Sequence, residues 1–110
     1  MKLTPLNIYI GYVSWNGGGK NRPVLIIRHD NKSADVLNIT TKFDGKSEFI
    51  RSKYFKINDW QEAGLLRQSY VETIETVSLQ ISSIDTDNLI GRLTENDEQR
   101  LIEFLSGFEQ

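Results

Sequence analysis

Arg22 and the pair Thr40-Thr41 are the residues best suited to chemistry in this chain. A guanidinium fork matches phosphate oxygens two at a time and keeps its charge at any physiological pH. A threonine hydroxyl can donate to a non-bridging oxygen. Two such groups on one phosphodiester would stabilise a phosphorane-like transition state, where placement and electrostatics dominate. If the substrate is RNA, its own 2′-hydroxyl attacks the adjacent phosphate, so neither a protein nucleophile nor a metal is required. The same residues also suit an ordinary strand edge. Other constellations are poor. His29 is the single histidine and falls in a polar turn, and there are no cysteines for thiolate chemistry, disulfides or a zinc cluster. Asp85-Thr86-Asp87-Asn88 hints at a calcium loop, but Ile90 stands where that loop needs glycine. Gly17-Gly18-Gly19-Lys20 is not a phosphate-binding Walker loop, because Ser14 occupies the position of its first glycine and Asn21 follows the lysine.

The elements that must hold these groups are mostly strands. Ile8–Val13 is β-branched and aromatic. Ser14–Asn21 reads as a flexible glycine loop, and Pro23, which has no N–H for a ladder, reads as the first residue of the strand Pro23–Arg28. After a polar turn, His29–Ser33, the segment Asp35–Thr41 alternates. Leu37 and Ile39 point inward, Asn38 and Thr40 take the opposite face, and only one of Thr40 and Thr41 should meet a phosphate. Asp44-Gly45 marks a turn, and Phe49–Phe55 reads as a strand with Arg51 and Lys53 on one face. Asn58 or Asp59 can cap a helical turn through Trp60–Ala63, with Gly64 ending it. Tyr70–Ile74 and Thr76–Ile81 read as two strands or one bent strand, and Leu89–Arg92 is a short apolar piece. The convincing helix is the last segment. Thr94 caps it, Asp97 follows in an approximate capping box, Leu101, Ile102, Leu105 and Phe108 form its apolar stripe, and Gly107 stops it. Short strands followed by one helix predict a mainly β, small barrel with a C-terminal α-helix.

The 110 residues fit one domain, residues 1–110. No stretch reaches the roughly 18 apolar residues of a membrane span. Met1–Ile10 does not read as a secretory signal, which makes the expected location cytoplasmic. The net charge of −2 conceals an asymmetry. Residues 1–56 carry ten Lys/Arg against four Asp/Glu, and residues 57–110 carry three against eleven. The positive half is suited to tracking a phosphate backbone, unless the fold mixes the two halves in space.

The ordered set of a glycine cluster, Lys20-Asn21-Arg22-Pro23-Val24-Leu25-Ile26-Ile27, and a strand ending Ile39-Thr40-Thr41 resembles the PemK/MazF family of toxins from toxin–antitoxin modules. Ser69-Tyr70-Val71-Glu72-Thr73 is similar to its third block, and Leu89-Ile90-Gly91-Arg92-Leu93-Thr94 to its C-terminal pattern. The resemblance implies an SH3-like (MazF/CcdB-type) barrel, usually a homodimer. It implies a sequence-specific, metal-independent endoribonuclease, an mRNA interferase needing no cofactor, that cuts single-stranded mRNA and leaves a 2′,3′-cyclic phosphate and a 5′-hydroxyl. The family's catalytic arginine maps to Arg22 and its threonine to Thr40, with Thr41 as neighbour and Glu72 as the acid of the third block. Trp15, Lys20, Asn21, Arg28, Arg51 and Lys53 would contact RNA. A cognate antitoxin would bring an acidic segment that folds on binding. Two alternatives remain open: a non-catalytic barrel that binds nucleic acid or an acidic protein, and a gyrase poison of the CcdB type.

Overall fold

A computed structural model describes residues 3–107. Its first two strands, β1 (Asn7–Trp15) and β2 (Gly18–His29), form a hairpin paired continuously from Ile8↔Leu25 to Trp15↔Gly18. The expected loop at Ser14–Asn21 is therefore only the turn Asn16-Gly17, with Gly17 at φ 92°. Asn-Gly is a strong hairpin signal. The remaining glycines are strand residues that lie close to aromatic rings. A Cβ on Gly18 would sit 3.3 Å from the Trp15 ring, and one on Gly19 would sit 2.5 Å from the Tyr12 hydroxyl. Pro23 lies inside β2 rather than at its start, opposite Ile10. The sheet tolerates it because the ladder to β3 (Ser33–Thr40) begins one residue later, at Val24↔Asn38.

Both faces of this central sheet are buried. Ile8, Leu25, Leu37 and Ile39 join one core, while Tyr9, Val24, Ile26 and Val36 join another. The outer edge of β3 forks between them. Its first half, Ser33–Val36, pairs with β6 (Val77–Gln80). Its last two residues pair with β5 (Tyr70–Glu72), which in turn pairs with β4 (Tyr54–Lys56). Across the sheet, β7 (Ile84–Arg92) pairs with β1. The strand order is β4-β5-β3-β2-β1-β7, all pairs antiparallel, with β6 also on β3.

Only the 3₁₀ turn Ile81–Ser83 connects β6 to β7. In a flat sheet four inter-strand gaps, about 19 Å, would separate them. Three residues rising about 2 Å each cannot span that, so the sheet curls. Leu79 of β6 consequently reaches over Gly11 of β1, where an added Cβ would lie 3.0 Å from its Cδ1. The molecule is thus mainly β, a small barrel-like sheet with a C-terminal helix.

Two further expectations change, one of a strand and one of a helix face. Phe49–Phe55 is not a strand. Glu48–Arg51 forms a one-turn helix, α1, because the Ser47 hydroxyl accepts from the Ile50 N–H at 3.2 Å, and β4 starts only at Tyr54. The last helix, α2 (Glu95–Ser106), is capped by Thr94 as expected, its hydroxyl accepting from Asp97 N–H. Its inward stripe is Leu101, Phe104 and Leu105, whereas Ile102 is exposed; Phe108 lies outside the described residues. Phe104 meets Phe55 edge-on at 5.5 Å.

The segment between β4 and β5 coils as a turn, with Ala63 N–H donating to Asp59 C=O at 3.0 Å, and Gly64 (φ 90°) ends it. Asp97 ties α2 to this segment. Its fully buried carboxylate accepts from the Asn58 and Asp59 N–H groups and from Arg100. Among the described residues no helix is long and apolar enough to cross a membrane.

Candidate functional site

The fork in β3 creates the site. β6 covers the sheet face of Val24 and Val36 but stops at the Val77↔Val36 pair. Beyond it, the same face is left to the polar residues that alternation places there: Arg22 on β2, Asn38 and Thr40 on β3, Tyr70 and Glu72 on β5, and Tyr54 and Lys56 on β4. Continuing the β2–β3 register past Val24↔Asn38 sets Arg22 opposite Thr40.

Arg22 and Thr40 line one concavity of about 220 Å³ together with Lys20, Asn21, Thr41, Lys42 and Ser69. Thr41 is present as well as Thr40, contrary to the expectation from strict alternation. β3 ends at Thr40, so the pleat no longer dictates where the next side chain points. The Thr40 hydroxyl accepts from the Lys42 N–H at 3.1 Å, which leaves its own hydrogen available to a ligand.

Arg22 is anchored from behind, with only 16% of its side chain exposed. Its Nη2 donates to the Ile39 carbonyl at 3.2 Å and to Glu72 Oε2, while Nε is buried without a partner. The Tyr54 hydroxyl donates to the other Glu72 oxygen at 3.4 Å. Burial, and secondarily the Glu72 charge, raises the Tyr54 pKa above its ordinary 10.0, so this phenol stays protonated and remains a donor.

Beside the concavity, Phe43 stacks on Tyr70 with ring centroids 4.4 Å apart and planes within 15°. The Arg51 guanidinium lies 5.8 Å from the Phe43 centroid. The sequence reading missed Phe43, Tyr54 and Tyr70. The two tyrosines were detectable, since each alternates with a buried neighbour (Phe55, Val71); Phe43, in a loop, gave no periodic signal.

The other candidates are spread out. Lys20 and Asn21 line the concavity, whereas Arg51 is not in the lining and lies over the Phe43 ring. Lys53 lies against Phe49 at 5.7 Å and is not in the lining. Trp15 is at the hairpin end, 55% exposed and roughly 13 Å from the level of Arg22. Arg28 is about 20 Å along β2 in the other direction, paired with Asp35 at 2.7 Å. The lysines and arginine of the concavity all come from the positive half of the chain, and Glu72 is the acid that the other half supplies to Arg22. Among the described residues no group of three or more His, Cys, Asp or Glu is arranged to hold a metal.

Fold and site together define a class: a small, mainly β protein whose curled sheet leaves a cation-lined concavity at one end. No family model matches the chain, and no curated protein does.

Proposed function

We propose that this protein is a PemK/MazF-type toxin, a metal-independent endoribonuclease that cleaves single-stranded mRNA in the cytoplasm. The observation that carries the reading is the convergence of Arg22 and Thr40 on one concavity with Thr41, Lys20 and Lys42 around it. The scissile phosphate lies between the guanidinium and the hydroxyl. The substrate's 2′-oxygen attacks phosphorus and gives up its proton to water, while Glu72, held between Arg22 and Tyr54 and outside the lining, orients the guanidinium. The P–O5′ bond breaks, and the 5′-oxygen takes a proton from water. Products are a 2′,3′-cyclic phosphate and a 5′-hydroxyl. Arg22 supports this as a fixed positive charge, since a guanidinium is a very weak acid and a poor base. The reading extends to a homodimer and to an antitoxin whose acidic segment covers the cations of the concavity.

Incubation of single-stranded RNA with the purified protein in excess chelator tests it. Cleavage should persist, and Arg22→Ala should lower the rate about 10²–10³-fold with the circular dichroism spectrum unchanged. An Arg22→Ala protein that cuts like the parent removes the assigned role.

A second reading is favoured by one observation: Arg22 already has a counter-ion in Glu72. A barrel that only binds nucleic acid or an acidic protein would show salt-sensitive binding and leave RNA whole.

A further inference from the structure

A second cavity, of about 510 Å³, adjoins the cation-lined one and shares Pro23, Thr41 and Ser69 with it. The rest of its wall is mostly apolar, built from Ile10, Leu65, Leu66 and Ile90, with Arg67 as its one charged side chain. Leu66 is 94% exposed, so a large apolar side chain stands open to water at this rim. The wall is preformed. Gly64 packs so tightly on β7 that an added Cβ would lie 2.2 Å from the Ile90 carbonyl, and a Cβ on Gly91 would lie 1.9 Å from that of Ala63. A rigid apolar cavity of a few hundred Å³ with few polar groups is the usual form of a small-ligand site.

We propose that this cavity is a nucleobase subsite. The inference rests on the phosphate reading above and names what lies next to that phosphate. A nucleotide has a charged end and a flat, apolar-faced end joined by one ribose. The two contiguous cavities present the matching pair, cations in one and aliphatic side chains in the other. The base lies against Ile10, Leu66 and Ile90, and the planar Arg67 guanidinium stacks on it. Such a site takes an unpaired base only, because a base held in a duplex is stacked and cannot be laid into a cavity.

Calorimetric titration separates the two ends. Inorganic phosphate and 2′-deoxynucleoside monophosphates, which lack the attacking hydroxyl, are titrated into the whole protein. At least one nucleotide should bind tenfold or more tightly than phosphate. Leu66→Ser, at an exposed position, should remove most of that advantage and leave phosphate affinity unchanged. Arg22→Ala should weaken both ligands. Equal affinity for phosphate and every nucleotide overturns the subsite, as does a Leu66→Ser protein that keeps the full advantage. A Leu66→Ser change that converts an oligomer to monomer without altering nucleotide affinity assigns the cavity to a second copy, which also overturns it. Phosphate bound through Arg22 with no gain from the base sinks the subsite alone, and absence of binding by either ligand sinks the phosphate reading with it.

Discussion

Arg22 on β2 and Glu72 on β5 form an ion pair across 50 residues of sequence, and the arginine reaches past β3 to make it. The same Nη2 also holds the Ile39 carbonyl, and the Tyr54 hydroxyl supports the far side of the carboxylate. The pair orients the guanidinium, but it also occupies a donor that a phosphate would use.

Glu72→Gln should therefore separate binding from cleavage. Removing the negative charge relieves competition for Arg22, so affinity for a non-cleavable DNA oligonucleotide should rise several-fold. Because the carboxylate also orients the guanidinium, single-turnover RNA cleavage should fall by up to about 10²-fold. Fluorescence anisotropy and quenched-flow cleavage measure the two quantities on the same variant. Unchanged affinity would mean that Glu72 does not compete with the ligand.

Tyr54 gives a pH signature in stability. Its pKa is raised in the folded protein by burial and by the Glu72 charge, so the native state keeps a proton that the unfolded chain releases near pH 10.0. The resulting stabilisation is complete below that pH and declines as the pH rises through the higher native value. Denaturant midpoints measured from pH 9 upward should fall less steeply in Tyr54→Phe than in the parent. Parallel curves would show that the phenol carries no such linkage.

Asp97→Ala should be among the most destabilising single changes. The carboxylate is fully buried and accepts from Asn58 N–H at 3.2 Å, Asp59 N–H at 2.7 Å and Arg100 Nη1 at 2.5 Å. Hydrogen bonds to a charged group are each worth about 1.5–3 kcal/mol, and truncation leaves all three donors short of a partner at once. Urea unfolding should show a loss of at least that size, and Asp97→Asn should recover part of it.

Gly64→Ala tests the wall between the site and β7. The residue has φ 90°, and the new methyl would meet the Ile90 carbonyl at 2.2 Å. Backbone strain of this kind costs about 1–3 kcal/mol before any clash. The midpoint of urea unfolding should drop accordingly, whereas Gly45→Ala, with φ 85° and open space around it, should cost only the conformational part.

Local signals were legible where the chain organises itself over a few residues. Thr94 before an acidic turn predicts the cap of α2, and the alternation in β3 correctly separates Leu37 and Ile39 from Asn38 and Thr40. Reading failed where a neighbour distant in sequence decided the outcome. Gly18 and Gly19 look like a mobile loop until Tyr12 and Trp15 are seen packed on them. Ile102 and Phe104 are both apolar, and only the position of Phe55 settles that Phe104 turns inward.

The sequence by itself determined that the chain is mostly strands, that a helix capped by Thr94 follows them, and that Arg22 and Thr40 stand near the ends of apolar segments. These properties follow from side-chain periodicity, turn chemistry and capping, which act within a few residues. Tertiary structure alone decided that β3 divides between β5 and β6, that the open face beyond the division holds Arg22, Thr40 and Glu72 together, and that Tyr54 supports them. The β3–β5 and β3–β6 pairings join residues tens of positions apart through backbone hydrogen bonds that are the same for every side chain, and no connecting turn sets their register as one does for the β1–β2 hairpin.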